Sequence, residues 1–486
     1  MSIQLTPHQQ QAFTAVKKFV TEPENDIFIL KGYAGTGKTT LVKFLLDWLA
    51  EQEKIKPVLL ASTGRAAKVL ENKAQYEAFT VHSHIYSFEV LEEKGGSKED
   101  AWNADKTGQI VLNFGLKSSP PQEEKIVYVV DEASMLSHVA NDQNSLTKFG
   151  TGNLLSDLLN FVGNNKIMFV GDPVQLPPPT GKNPFSPALS VAFMQKTFQK
   201  SVTGFELKEI MRQKEGNPVL DLATEIRNIV INRQNRDWQE VMDKKAASIY
   251  TPFTQAIMID RYLGVVGKKW DQAVILCHSN KQAYFLNMGM RKKLFKGEPP
   301  MHLLVGELLM VTQNSYYVPL ANGDQVIVRS VKPAGNRAGF RFLEIEAEAV
   351  HNNQIYKTLL LQDFLFRPEA NLDPEKQRHL LIDFDKRARN RNLKRNSKEY
   401  KEAMLNDQYL NALRAKFGYA VTCHKSQGGE WPHVFINLSE TLNMLNIETR
   451  FRWLYTAVTR AQEVLHLKPV WKGNKGKSGF NRNQRR

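Results

Sequence analysis

The chain's 486 residues exceed one typical core, and at roughly 100 to 200 residues per domain they predict about three or four. Sixty-five Lys plus Arg against 50 Asp plus Glu leave a formal charge of +15, which favours a polyanionic partner such as nucleic acid. Cys277 and Cys423 are too few for a disulfide framework or a zinc cluster, no apolar run approaches the roughly 20 residues of a membrane span, and the N-terminus lacks a signal-peptide pattern. A soluble, cytoplasmic protein with no membrane partner is expected.

In chain order, the first apolar run is Ile27-Phe28-Ile29-Leu30, followed by Gly32-Tyr33-Ala34-Gly35-Thr36-Gly37-Lys38-Thr39 and a helix-like stretch over 41–50. Strand, glycine loop and helix in this order make a nucleoside-triphosphate site. The glycines let backbone amides face the phosphates, Lys38 neutralises the β and γ oxygens, and the Thr39 hydroxyl suits magnesium. Further apolar runs at 58–61, 126–130 and 167–170 read as buried parallel strands of an open α/β sheet. Between them, 84–124 reads as an inserted β-hairpin with its tip near 95–106. Asp131-Glu132 directly follows the third strand, where one carboxylate suits the metal and the next the attacking water. Gln175, in Gly171-Asp172-Pro173-Val174-Gln175-Leu176-Pro177 after the fourth strand, reads as a γ-phosphate sensor.

A second set of apolar runs at 274–276, 434–438 and 464–467 predicts a second α/β domain. Residues 303–366 are strand-rich and read as a small β-barrel, with Asn322-Gly323-Asp324 as a turn between strands at 316–318 and 326–328. Residues 374–413 are charged and helix-prone, with Lys386, Arg387, Arg389, Arg391, Lys394 and Arg395 in close succession; a solvated helix and a nucleic-acid contact both fit. The last fifteen residues hold six Lys or Arg and no acid, the composition of a basic disordered tail.

Taken together, Gly32 to Thr40, Ser62 to Ala67, Thr80 to Ser83, Asp131 to Ser134, Gly171 to Pro177, Glu206 to Gln213, Tyr419 to Gly428 and Leu454 to Ala461 resemble the ordered motifs of superfamily 1 helicases. The resemblance spans nearly the whole chain and is nearest to the RecD-like, Dda-like branch, superfamily 1B. It implies two RecA-like P-loop domains. The first would cover 1–198, with the hairpin 84–124 as a duplex-splitting pin. The second would cover 199–470, with an SH3-like barrel and charged helical extension inserted at about 325–413; the basic tail is 471–486.

The resemblance also implies an ATP and Mg²⁺ site and roles for particular residues. Gly32, Gly35, Thr36, Gly37, Lys38, Thr39 and Thr40 would hold the nucleotide, Thr39 and Asp131 the magnesium, and Gln9 would read adenine. Thr6 as a helix N-cap with a polar first turn explains Gln9 equally well. Arg212 and Arg460 would reach across from the second domain to the phosphates and join Lys38, Asp131, Glu132 and Gln175 in catalysis. Thr63, His82, Ser83, Thr422, His424, Lys425 and Ser426 would line the DNA path, and Trp102 at the pin's tip would stack on the terminal base pair. The implied activity is 5′-to-3′ movement on single-stranded DNA with unwinding at junctions, by a monomer. A DNA or RNA translocase without processive unwinding is the alternative.

Overall fold

The runs at 27–30, 58–61, 126–130 and 167–170 are the cores of strands Ile27–Gly32, Ile55–Ala61, Lys125–Asp131 and Lys166–Gly171. In the computed structural model they lie in one six-stranded sheet, with Ala78–Thr80 at one edge and Val202–Leu207 at the other. Every neighbouring pair is parallel. The structure describes residues 4–470 except 53, 95–108, 122–124, 141–146, 180–184, 212–216, 245, 252–253, 268, 298–300, 316 and 396.

Parallel strands read as unbroken apolar runs because helices cover both faces of their sheet. On one face, helix Lys38–Ala50 buries Leu41, Val42, Leu45, Leu46 and Leu49, one stripe at helical spacing, against Phe28, Leu30, Val129 and Val170. On the other, Leu155 and Leu158 of helix Leu154–Val162 pack with Ile29, Val130 and Phe169. The sequence places the end of this unit at 198, whereas Val202–Leu207 pairs with Ile27–Gly32 along its length. The first unit therefore runs through Leu207. Thr203, Gly204 and Glu206 interrupt its apolar residues, which conceals the strand in the sequence.

The second sheet is also parallel, in the order Ile249–Tyr250, Ala461–Lys468, Trp431–Asn437, Ala273–Cys277, Ala420–Thr422. Its core includes Tyr33, Val174 and Leu176 from the first unit, so the two units share buried apolar surface.

Between them in sequence lies an antiparallel sheet of Leu308–Val311, Gln325–Arg337, Phe340–Ala349, Ile355–Leu361 and Ala415–Phe417. Leu413 closes it into a barrel: its N–H donates to Leu359 O (2.7 Å), and its carbonyl accepts from Leu361 N (3.1 Å). The barrel thus starts before residue 325 and closes after 413, wider than the expected insertion. The strand expected at 316–318 is instead Leu308–Val311; Gly323, at φ +96°, donates its N–H to Val311 O, and a loop carries the chain between.

Helices Pro374–Asn390 and Lys398–Leu405 extend from the barrel. Three of the six residues of their basic run form ion pairs within the protein. Arg387 pairs with Asp383 and Asp407, while Arg389 and Arg395 converge on Asp385.

The hairpin forms from Tyr86–Lys94 and Gln109–Leu116, antiparallel, and Thr147–Phe149 joins as a third, parallel strand that the sequence does not announce. Phe88 packs against Leu381, Phe384 and Tyr400 of the helical extension. Trp102 and the tail 471–486 lie outside the described residues. Among those residues no helix is long and apolar enough to cross a membrane.

Candidate functional site

The phosphate loop turns through Gly35 and Gly37, both at φ +78°, a conformation an L side chain rarely adopts. A Cβ on Gly37 would also stand 2.3 Å from Gln9 Nε2. Lys38 Nζ donates to the carbonyls of Gly32 (2.8 Å) and Tyr33 (3.0 Å), and the buried Thr36 hydroxyl donates to Tyr33 O. Gln9 takes both readings the sequence offers a structural share of. Its Oε1 accepts from Thr6 N in a capping box, and its Nε2 donates to Thr36 O at 3.2 Å, so its amide bears on the loop.

A cavity of about 610 Å³ opens over this loop. Lys38, Thr39, Thr40, Asp131, Glu132 and Gln175 line it from the first unit, and Gly428, Glu430, Thr459 and Arg460 from the second. Burial raises the pKa of Asp131 and of Glu132, and each carboxylate's proximity to the other adds to it for Glu132; Lys38 opposes both shifts and Arg460 opposes that of Glu132. Glu132 sits at φ +51°, a left-handed conformation costing about 1–3 kcal/mol in a non-glycine, and it redirects the chain straight after the strand. Gln175 lines the cavity and is buried, and its Oε1 is without a hydrogen-bond partner among the described residues. Arg460 is held by Thr456 O (3.1 Å), Gly429 O (3.1 Å) and Thr459 Oγ1 (3.3 Å).

The loop 172–177 is clasped by helix Ile447–Val458 of the second unit. Thr456 Oγ1 accepts from Leu176 N (2.9 Å), Arg452 donates to Pro173 O, and Gln427 Nε2 donates to Leu176 O (3.0 Å). Tyr455 accepts from Ala34 N (3.0 Å) and donates to Asp172 Oδ2 (2.8 Å).

Residues 4–235 match the family described as an AAA domain, and residues 417–467 match the UvrD-like helicase C-terminal domain. The two matches fall on the two sides of the cavity. The ATP-dependent DNA helicase dda of Enterobacteria phage T4 is 28% identical over 314 residues, 64% of this chain and 61% of the phage protein. The chain is thus similar to a phage DNA helicase over 64% of its length and to a helicase C-terminal domain over residues 417–467. A protein of Acanthamoeba polyphaga mimivirus is 23% identical over 522 residues, 94% of this chain and 98% of its own. Among solved structures, the Pif1 helicase from Bacteroides in complex with ADP-AlF3 and ssDNA aligns with a TM-score of 0.49 at 16% identity, covering 96% of this chain and 92% of that one. Pif1 from Candida albicans aligns at 0.48 and 14%, covering 96% and 94%.

The chain carries the expected strand-path residues in unequal settings. Thr63 caps helix Gly64–Ala74 by accepting from Ala66 N, and Ser83 is exposed. His82 packs on Tyr86 and Phe149, and burial lowers its pKa to about 4, so it offers no cation at neutral pH. Thr422 is buried, and burial lowers the pKa of both His424 and Lys425. Ser426 departs from expectation: it is 0% exposed and its hydroxyl donates inward to Cys423 O at 2.7 Å, so it cannot line a surface. Arg212 lies outside the described residues, next to Met211, whose N–H donates to Gly35 O.

Sequence reasoning gave no role to Arg452, Tyr455, Thr456 or Gln427. The first three follow one another at i, i+3 and i+4 on one face of helix Ile447–Val458. For magnesium, the donors fit: Thr39 and Asp131 present hard oxygens at one cavity. Among the described residues no group of three or more His, Cys, Asp or Glu gathers as a metal site.

Proposed function

We propose that this chain is an ATP-dependent DNA helicase that moves 5′ to 3′ on single-stranded DNA and unwinds duplexes at single-strand/duplex junctions. One observation carries the reading. Lys38, Asp131, Glu132 and Gln175 share a cavity with Arg460, and the two sides belong to different parallel-sheet units.

The chemistry follows from that placement. Loop amides and Lys38 hold the β- and γ-phosphates, while Glu132 accepts a proton from the attacking water and Gln175 Oε1 orients it. Magnesium, when bound through Thr39 and Asp131, neutralises charge on the phosphate oxygens. Arg460, with Arg212 as its companion, stabilises the transferring phosphoryl group. Because Arg460 belongs to the opposite unit, that stabilisation depends on how closely the units approach, which couples hydrolysis to movement. Thr63 and Ser83 on one unit and Thr422, His424 and Lys425 on the other supply sequence-independent phosphate contacts. The hairpin acts as the pin and the barrel as the SH3-like insertion.

Steady-state ATP hydrolysis with and without a single-stranded oligonucleotide tests this. The wild type is expected to be DNA-stimulated. Lys38→Ala should abolish turnover, and Arg460→Ala should lower kcat by roughly 10³-fold or more while ATP still binds. Equal hydrolysis by wild type and Arg460→Ala would remove the arginine from the mechanism.

A further inference from the structure

Tyr455 is buried in the second unit, yet both partners of its hydroxyl lie in the first: Ala34 N–H, in the phosphate loop, and the Asp172 carboxylate. We propose that Tyr455 is a positioning residue for ATP hydrolysis, whose hydroxyl fixes the phosphate loop and the Gln175 loop relative to the turn that carries Arg460. This rests on reading the cavity as a hydrolytic ATP site.

Three links make the connection. Ala34 directly precedes Gly35, so a hydrogen bond on its amide holds the loop where the backbone turns toward the cavity. Asp172 also accepts from Val174 N at 2.9 Å, which shapes the turn leading to Gln175. On its own side, Tyr455 O accepts from Thr459 N (3.0 Å), and Arg460 N and Nε are bonded to Ala457 O (3.3 Å) and Thr456 O (3.1 Å). One hydroxyl thus joins both phosphate-facing loops to the arginine through a single helical turn. Short, rigid linkage matters because a misplacement of about 1 Å at a transferring group can cost on the order of 10²-fold in rate.

Plain adhesion between units does not need this hydroxyl. Thr456, Gln427 and Arg452 already fasten the 172–177 loop to the second unit, and none of these bonds touches the phosphate loop. Thr456 is therefore the proper control, an adjacent residue of the same helix with a cross-unit bond of the same kind.

The test compares wild type, Tyr455→Phe and Thr456→Val in DNA-stimulated ATP hydrolysis, equilibrium binding of a fluorescent ATP analogue and thermal melting. Each variant keeps its shape and loses hydroxyl bonds. Tyr455→Phe is expected to lower kcat about tenfold with KM for ATP and analogue affinity within about twofold of wild type, whereas Thr456→Val stays within about twofold in kcat. An unchanged kcat in Tyr455→Phe, or an equal loss in both variants, overturns the proposal. A wild type that does not hydrolyse ATP overturns the reading of the cavity itself, and the wild-type measurement separates that failure from the first.

Discussion

Lys68 Nζ lies 2.5 Å from Asp324 Oδ2, joining helix Gly64–Ala74 of the first unit to the turn that opens the long barrel strand. The Asp324 side chain is 3% exposed, and it also accepts from Ala321 N at 2.7 Å. Removing the ammonium leaves a buried carboxylate half satisfied. Lys68→Ala is expected to destabilise the protein by roughly 1–3 kcal/mol, read as a lower urea midpoint. An unchanged midpoint would mean the pair contributes nothing net.

The same helix meets the second unit through glycine. Gly428 sits at φ +76°, and a Cβ there would stand 2.7 Å from Ala66 Cβ. Gly428→Ala must either strain its backbone or push the helix of Ala66 away, widening the cleft. DNA-stimulated kcat should fall about tenfold while the ATP analogue still binds through Lys38 and its loop. Wild-type turnover in this variant would show that close approach at Gly428 is dispensable.

Glu132 gives a pH signature with a definite sign. Burial and Asp131 raise its pKa above the ordinary carboxylate value, so it holds its proton to higher pH than an exposed glutamate. As a proton acceptor it fails when protonated, so kcat should fall as pH drops through that raised value, with an acid limb above the usual carboxylate range. Stability runs the opposite way. The folded state binds the proton more tightly than the unfolded chain, so the penalty for burying the charge grows as pH rises between the two pKa values. Glu132→Gln should therefore abolish turnover, retain ATP binding, and melt higher than wild type at alkaline pH. That advantage should shrink as pH falls; a constant difference would contradict it.

Lys425 and Ser426 are adjacent yet predict different failures. Lys425→Ala should weaken single-stranded DNA binding and reduce the slope of log affinity against log salt by about 0.7–1. Ser426→Ala removes only the inward bond to Cys423 O, so it should cost roughly 0.5–1.5 kcal/mol in stability and leave the salt slope unchanged. Titration of a labelled oligonucleotide at several salt concentrations distinguishes them.

What the sequence disclosed follows from what its patterns encode. Ile27–Leu30 and Ile126–Val130 were legible as parallel strands because burial on both faces leaves no polar positions. The phosphate loop was legible because its glycines and Lys38 are set by local backbone geometry. The edge strand Val202–Leu207 was hidden by Thr203, Gly204 and Glu206 among its six residues, and Tyr317-Val318 imitated a strand through β-prone composition although the partner across the barrel is Leu308–Val311. Tyr455 and Ala34 are 421 residues apart, and no local pattern announces a hydrogen bond across that separation. Nor does a motif reveal which way a hydroxyl turns, which is why Ser426 looked like a surface residue.

The central claim is that closure of two units over ATP drives this chain 5′ to 3′ along single-stranded DNA into a duplex. Strand displacement on matched partial duplexes bearing a 5′ or a 3′ single-stranded tail, with ATP, magnesium and Lys38→Ala as control, tests it most directly. The expected result is unwinding of the 5′-tailed substrate alone, lost in Lys38→Ala; unwinding of the 3′-tailed substrate alone, or of neither, would contradict it.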